Sequence, residues 1–359
     1  MGELLTAIRK NRLLWLLVLV PTPFLAEVAW PQAKTLVFLL SMLAIVPLAA
    51  LLSLATEQVA ARTGDTVGGL LNATLGNLTE LLIALAALQA GEYMLVKATI
   101  AGAIVANSLF MTGMAFLLGG LRHHVQDFNS GTARLQVALL FLAAFGLMVP
   151  SALADMDTQT LPASLSLAIA LILLAGYGFS LVFTLGTHRK FFSAAAHEAE
   201  EGEIWPVALA IGVLLATTVV VALVSEVFVE SLTGASEAMG LSQAFVGFVV
   251  VAIVGAAAEM TAAFSAARKN RLDLSLGISF GSATQIALFV APVLVLLSHV
   301  IGPAPMSLQF WPGAVVMIFV ATLTAAITTA SGHAAWFIGL LMLMVYAIFG
   351  VTLFIMPPG

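Results

Sequence analysis

The hydrophobic pattern divides the chain into eleven long apolar segments separated by mostly short polar loops. Each segment approaches the ~20 residues that an α-helix needs to cross a hydrocarbon core about 30 Å thick. The segments lack the apolar–polar alternation that marks a transmembrane β-strand. We therefore predict an all-α, multi-pass membrane protein. The predicted spans are 13–30, 34–56, 66–91, 93–121, 135–154, 158–187, 204–229, 238–267, 274–300, 308–330 and 334–356.

Composition agrees with this prediction and narrows the function classes. The 359 residues are 61% hydrophobic and 9% charged, with a mean hydropathy of +1.11, which a soluble domain of this size could not carry on its surface. The short loops leave no room for a soluble catalytic domain. We therefore predict that the protein is not an enzyme, needs no cofactor and binds no nucleic acid. It contains no cysteine, so disulfides and thiolate metal ligands are excluded.

The distribution of basic residues predicts the orientation in the bilayer. With the N-terminus inside, eleven of the thirteen Lys and Arg residues face the inner side, as the positive-inside rule requires. Only Lys34 and Lys97 then face outward. We predict a prokaryotic plasma-membrane protein with a cytoplasmic N-terminus and an external C-terminus. The inner set is Arg9, Lys10, Arg12, Arg62, Arg122, Arg134, Arg189, Lys190, Arg268, Lys269 and Arg271.

Two glutamates occupy matching places in otherwise uncharged spans, Glu80 in the third and Glu259 in the eighth. A charge at the bilayer centre costs about 3 kcal/mol on insertion scales, which makes both carboxylates candidates for function. An offset of 179 residues carries Glu80 onto Glu259 and Gly76 onto Gly255. Other pairs at this offset are Val67 and Val246, Gly68 and Gly247, Gly102 and Gly281, and Phe110 and Phe289.

The repeat predicts the domain organisation. The third and eighth spans are five spans apart, an odd number, so the two related segments cross the membrane in opposite directions. This is the inverted-topology repeat of secondary transporters, which bind their substrates near the midplane between the halves. We predict an extra N-terminal helix at 1–33, a five-helix repeat at 34–187, an acidic cytoplasmic linker at 188–203 and a second five-helix repeat at 204–359.

The first related segment predicts a polar stripe along one helix face. Asn72, Gly76 and Glu80 recur every four residues, so a continuous helix would align them. Glycines there permit close approach of another helix and can expose backbone carbonyls where the helix loosens. The alternative is structural: the glycines are packing notches and Asn77 makes an interhelical hydrogen bond.

Further polar atoms come from the spans that follow each glutamate. They are Asn107 and Ser108 in the fourth span and Ser282, Thr284 and Gln285 in the ninth. Serine and threonine hydroxyls can instead satisfy the backbone of their own helix. The second related segment has Ala256 where the first has Asn77, so any site between them is asymmetric.

Two carboxylates together with amide and carbonyl oxygens suit Ca²⁺, which takes six to eight oxygen ligands, better than a soft metal. Burial disfavours the charged form of a carboxyl group, so both glutamates can also hold protons when no cation is present. Ca²⁺ and protons would then compete for Glu80 and Glu259, which is the simplest mechanism of exchange. Both ions are predicted as transported partners.

Four strings resemble the two repeats of the calcium/proton exchangers, in the cation/calcium antiporter superfamily. They are GGLLNATLGNLTE (68–80), GAIVANSL (102–109), FVGFVVVAIVGAAAE (245–259) and GSATQIALFVAP (281–292). The resemblance implies exchange of Ca²⁺ for H⁺, with Glu80 and Glu259 as the cation and proton carboxylates. It implies Asn77, Asn107, Ser282 and Gln285 as helpers, and Glu57 and Glu226 as acids on access paths at opposite sides.

The chain departs from the family pattern at two positions. Ala256 stands where the family usually has an asparagine, and Met260 where it often has a histidine. The first departure affects cation selectivity and the second any proton-coupling role of that histidine. Two alternatives to Ca²⁺/H⁺ exchange stay open: a Na⁺/Ca²⁺ exchanger of the same superfamily, and a cation channel, which would also place acids in a pore.

The acidic linker between the halves has two interpretations. Glu198, Glu200, Glu201 and Glu203 can form a solvated amphipathic segment on the inner surface. Their hard carboxylate oxygens can alternatively collect divalent cations and regulate transport.

Overall fold

The computed structural model describes residues 2–63, 65–156, 163–188 and 205–358, apart from the side chains of residues 65–66, 154–156 and 163. Over these ranges nine helices are long and apolar enough to cross a membrane, and the number reaches eleven when each of two bent helix pairs counts as one span. The prediction of an all-α, multi-pass membrane protein is confirmed.

The first half begins with a short amphipathic helix and ends in a π-helical turn. Its elements are α1 (Gly2–Lys10), a 3₁₀ helix (Arg12–Leu19), α2 (Thr22–Ala29), α3 (Lys34–Arg62), α4 (Asp65–Leu75), α5 (Leu78–Gln89), α6 (Tyr93–Val105), a π-helical segment (Ala106–Met111), α7 (Thr112–His123), β1 (Val125–Asp127), α8 (Ser130–Met156), α9 (Ala163–Leu181) and a second π-helical segment (Val182–Thr187).

The second half likewise contains one broken helix and two π-helical segments. Its elements are α10 (Val207–Met239), α11 (Gln243–Phe245), a π-helical segment (Val246–Val251), α12 (Ala252–Gly255), α13 (Ala257–Arg268), α14 (Leu272–Gln285), a π-helical segment (Ile286–Val290), α15 (Ala291–Leu297), α16 (Pro312–Thr329), β2 (His333–Ala335) and α17 (Trp336–Ile355).

Several predicted span boundaries are wrong. The first span is not among them, since the predicted 13–30 matches the span at Arg12–Ala29. It consists of a 3₁₀ helix followed by α2, because Pro21 and Pro23 interrupt regular helical hydrogen bonding. The predicted seventh span ends at 229, whereas α10 continues to Met239. Gly240 stops it in the left-handed conformation, at φ 66°, as a helix C-terminal glycine commonly does. The eighth span therefore starts only at α11, where the Ser242 hydroxyl accepts from the Phe245 amide.

Contacts between loops define two opposite faces. On the N-terminal face, β1 pairs with β2 in an antiparallel two-stranded sheet, joining the loop before α8 to the loop before α17. On the opposite face, the Gln243 side-chain amide donates to Glu92 at 2.7 Å, and the Tyr93 hydroxyl donates to the Ala304 carbonyl. Each of these contacts joins the first half to the second. The loops in contact therefore lie on the faces to which a topology of eleven spans assigns them.

The helices α3 and α10 pair along much of their length. Near the N-terminal face, the Arg62 guanidinium donates to the Trp205 carbonyl at 3.0 Å, and the Trp205 amide donates to the Gln58 side chain at 2.8 Å. Farther along, Phe38 and Phe228 stack with their ring centroids 5.1 Å apart. These contacts bind the two helices to each other at the junction of the two halves.

Candidate cation site

The two glutamates follow two helix breaks in matching places. The third span bends by 41° between α4 and α5, and the eighth bends by 59° between α12 and α13. Glu80 lies in the first turn of α5 and Glu259 in the first turn of α13. The predicted continuous stripe is therefore wrong, because Asn72 and Glu80 belong to different helices. Asn72 is exposed, whereas Glu80 is buried.

The missing side chain of Gly255 lets the two broken helices approach each other. A Cβ on Gly255 would lie 3.1 Å from Glu80 Cγ and 3.5 Å from its Oε1. Glu80 therefore packs against the end of α12, beside the break that precedes Glu259. On the other break, a Cβ on Gly76 would lie 3.3 Å from Gln285 Oε1. The glycine pair found at the repeat offset thus makes room for the side chains of Glu80 and Gln285.

The carboxylates are short of hydrogen-bond donors. Glu80 is only 2% exposed, and within the described ranges neither of its carboxylate oxygens has a hydrogen-bond partner. Glu259 is half-buried, and its Oε2 likewise lacks a partner among the described residues. A buried charge left unpaired is strongly unfavourable, so such oxygens call for a cation or a proton.

A chain of hydrogen bonds connects three of the predicted helper residues. The Asn107 amide donates to Ser282 Oγ at 2.8 Å, and the Ser282 hydroxyl donates to Asn77 Oδ1 at 2.6 Å. Asn77 Oδ1 is thereby engaged, while the buried Asn107 Oδ1 has no partner in the described part of the chain. In this chain of hydrogen bonds, the oxygen that remains available to a cation is Oδ1, the side-chain carbonyl oxygen of Asn107.

Gln285 lies beside the first helix break and is also buried. Its Nε2 has no hydrogen-bond partner in the ranges described. The described residues contain no group of three or more His, Cys, Asp or Glu side chains that could hold a metal ion. A bound cation would therefore depend on the two glutamates together with amide and backbone oxygens. The two halves offer different oxygen atoms, since the first has Asn77 where the second has Ala256.

The two departures from the family pattern lie in one apolar cluster. Ala256 and Met260 pack with Met111 and Ala263, all of them buried. Where the family pattern has an asparagine amide and a histidine, the second half therefore has the methyl group of Ala256 and the thioether of Met260. Met111 was not singled out in the sequence, because a methionine in an apolar span carries no pattern that distinguishes it from core.

A cavity of about 670 Å³ lies on the N-terminal face between α1, α3 and α13. Glu57 is exposed within its lining. We call this cavity the vestibule. Its lining includes Thr6, Lys10, Gln58, Ala258, Thr261 and Ser265.

The remaining predicted acids lie apart from this vestibule or outside the described chain. Glu226 is exposed on α10 and is not part of the vestibule lining. The acids of the linker, Glu198, Glu200, Glu201 and Glu203, lie outside the described residues.

Two inverted halves that bring together one buried and one half-buried carboxylate define a secondary transporter of the inverted-repeat class. The model of the family described as sodium/calcium exchanger protein matches residues 33–186 and 209–355. The chain belongs to this family, which confirms the resemblance found in the sequence.

Relatives and solved structures agree with this assignment. The chain is 40% identical to a Ca(2+)/H(+) antiporter of Synechocystis, covering 95% of this chain and 96% of that one. It is 36% identical to the Ca(2+)/H(+) antiporter ChaA of Bacillus subtilis, covering 96% and 100%. The structure of native YfkE superposes with a TM-score of 0.81 at 32% identity, covering 95% and 100%. The crystal structure of the H+/Ca2+ exchanger CAX shares the fold, with a TM-score of 0.71 at 18% identity, covering 98% and 89%.

Proposed function

We propose that the protein exchanges Ca²⁺ for H⁺ across a membrane by alternating access, with Glu80 and Glu259 serving both ions. The observation that carries the proposal is the pair of carboxylates whose buried oxygens lack donors at two matched helix breaks. The relatives described as Ca(2+)/H(+) antiporters support the same ion pair.

The donor set favours a hard divalent cation. The carboxylates of Glu80 and Glu259 and the Oδ1 atom of Asn107 offer oxygen atoms, which Ca²⁺ prefers as ligands. Two negative charges balance one Ca²⁺, and two protons balance the same two carboxylates in its absence. The empty, unprotonated site would hold two unpaired buried charges, and this penalty couples one flux to the other.

The vestibule gives the site an access route on one face. Exposed Glu57 lies in its wall, and Ala258 of the same wall is the neighbour of Glu259. In the proposed orientation this face is cytoplasmic, because the basic loop residues gather there. Glu226 is then proposed as an acid on the opposite access path, and the membrane as a prokaryotic plasma membrane.

The decisive test is transport by purified protein in proteoliposomes. An imposed pH gradient should drive ⁴⁵Ca²⁺ uptake, and a Na⁺ gradient at constant pH should not. Uptake driven only by Na⁺ would favour the sodium-coupled alternative. Passive Ca²⁺ flux that does not depend on a countertransported ion would favour a channel.

Ser282→Ala should lower Ca²⁺ affinity about fivefold, since it removes the hydrogen bonds, worth about 1 kcal/mol, that fix the side chains of Asn107 and Asn77. Isothermal titration of purified protein measures the change. Ser279→Ala is the matched control, because the Ser279 hydroxyl is buried on the same helix but bonds only the Ser275 carbonyl of its own backbone. Equal affinities in the two variants would refute the positioning role of Ser282.

Replacing Glu198, Glu200, Glu201 and Glu203 together with glutamine should change the apparent Ca²⁺ affinity of transport by about two- to threefold. Exposed charges outside the site act weakly across water, so the exchange reaction itself should continue. Initial ⁴⁵Ca²⁺ uptake rates across a range of Ca²⁺ concentrations measure this. Complete loss of uptake by the folded quadruple variant would place the linker in the translocation path.

A further inference from the structure

Two tyrosine–phenylalanine contacts join the halves in a reciprocal way. Phe110 and Phe289 are related by the repeat offset, and each lies in a π-helical segment next to the site. Phe289 contacts Tyr177 of α9 with ring centroids 5.3 Å apart, and Phe110 contacts Tyr346 of α17 at the same 5.3 Å. Each tyrosine stands on the last spanning helix of one half and each phenylalanine in the other half. The ring contacts follow the inverted symmetry.

The hydroxyl groups of the two tyrosines do not follow that symmetry. The Tyr177 hydroxyl donates to the backbone carbonyl of Ala73. Ala73 lies in the last turn of α4, where carbonyls have no amide partner within the helix, just before the break that precedes Glu80. Tyr177 therefore anchors the first broken helix in the arrangement seen here.

Tyr346 is equally buried, but its hydroxyl has no hydrogen-bond partner among the described residues. Its helix approaches the second broken helix: a Cβ on Gly350 would lie 3.8 Å from the Val249 side chain. Val249 stands three residues before Ala252, the position related to Ala73 by the repeat offset. The helix of Tyr346 thus contacts the corresponding broken helix, and the buried Tyr346 hydroxyl has no acceptor in the part of the chain that the structure describes.

We infer that Tyr177 and Tyr346 are positioning residues that hold the two broken helices alternately. In the arrangement with the vestibule present, Tyr177 holds the Ala73 carbonyl and Tyr346 is free. In the opposite arrangement the halves exchange roles, so Tyr346 holds the Ala252 carbonyl and Tyr177 is released. The inference rests on the proposed alternating access and adds the pair of hydrogen bonds that balances the two states. In each state one hydroxyl has an acceptor and the other does not. Because an unsatisfied buried donor is costly, the two hydrogen bonds act on the two states in opposite directions.

The natural absence of cysteine permits a direct test. Ser265→Cys places one thiol in the vestibule lining, and its rate of maleimide labelling in proteoliposomes reports how often the vestibule is open. The pH and Ca²⁺ concentration are set so that the parent labels at half its maximal rate, which makes changes in both directions visible. Tyr177→Phe and Tyr346→Phe keep the ring contacts and delete only the hydroxyls. Ser180→Ala is the control, because its hydroxyl bonds the Tyr177 carbonyl within the same helix.

Tyr177→Phe should lower the ratio of open to closed vestibule states about fivefold, because it removes one hydrogen bond from the open state. Labelling of the cysteine should therefore become slower. Tyr346→Phe should shift the same ratio in the opposite direction, and the double variant should label at nearly the parent rate. A purely structural role predicts no such reversal. Shifts in the same direction, or unchanged labelling in both single variants, would overturn the inference.

Two further readouts keep the test decisive. If Tyr177→Phe gives no monodisperse protein, Tyr346→Phe alone decides, since it must raise the labelling rate of the half-open parent. Ca²⁺ uptake by the parent under a pH gradient is measured in the same vesicles. If the parent exchanges Ca²⁺ for H⁺ but both tyrosine variants label at the parent rate, only the alternating hydrogen bonds are contradicted. If the parent does not exchange the two ions, the proposed function itself is contradicted.

Discussion

Glu80→Gln and Glu259→Gln should each abolish pH-driven Ca²⁺ uptake in proteoliposomes, a fall of more than about 100-fold. Each change removes one of the two charges that balance Ca²⁺ and one of the two groups that can carry a proton. Removing one partner of a buried ion pair costs about 3–5 kcal/mol, which corresponds to a loss of affinity of two orders of magnitude or more. Folding should survive, because glutamine keeps the shape and replaces a buried charge with a neutral group.

Glu237→Gln provides the matched control. Glu237 is exposed near the end of α10, outside the site and the vestibule, so its neutralisation should leave uptake unchanged. Gel filtration and thermal unfolding establish that all three variants are folded. If either site variant retained near-parent uptake, that glutamate would be removed from the mechanism.

Ca²⁺ affinity should fall as the pH is lowered, by about tenfold per pH unit for each proton that Ca²⁺ displaces. The sign follows from competition: protons fill Glu80 and Glu259 at low pH, and Ca²⁺ must remove them before it binds. At high pH the carboxylates are already ionised, so affinity reaches a plateau. By linkage, Ca²⁺ binding must release protons over the same range in which affinity changes.

Calorimetry of purified protein between about pH 5 and 8, a range that brackets raised carboxyl values, measures both quantities. Titration in two buffers of different ionisation enthalpy gives the number of protons released. Glu80→Gln and Glu259→Gln should each lower that number by about one wherever binding is still measurable. Affinity that is independent of pH, with no proton release, would exclude competition and favour sodium coupling or a channel.

Much of the architecture could be predicted because its causes are local in sequence. Apolar segment length gives the spans, and the repeat offset pairs Glu80 with Glu259 and Gly76 with Gly255. The same signal fails at span ends, where a single residue such as Gly240 decides. It also fails at Asn72, because a helix break depends on partners that a periodicity calculation does not contain.

Several candidate site residues lie together in the fold, but the sequence could not predict their hydrogen-bond geometry. Asn77, Asn107 and Ser282 were all candidates, yet which oxygen remains free depends on hydrogen bonds between residues 175 and 205 positions apart. The strands β1 and β2 have only three residues each, too few for a recognisable pattern, and their pairing joins distant loops. Tertiary contact supplies what local pattern cannot.

The pairing of α3 with α10 makes the stiffness of the molecule uneven. These two helices are bonded to each other near the N-terminal face and stacked on each other farther along. Loop contacts join other parts of the two halves, through the β1–β2 sheet on one face and the Glu92–Gln243 bond on the other. A helix pair bonded in this way moves more readily as one body than as two separate helices. Because α10 packs against α5 and α3 against α13, a shared tilt of the pair would displace the two helices that carry Glu80 and Glu259.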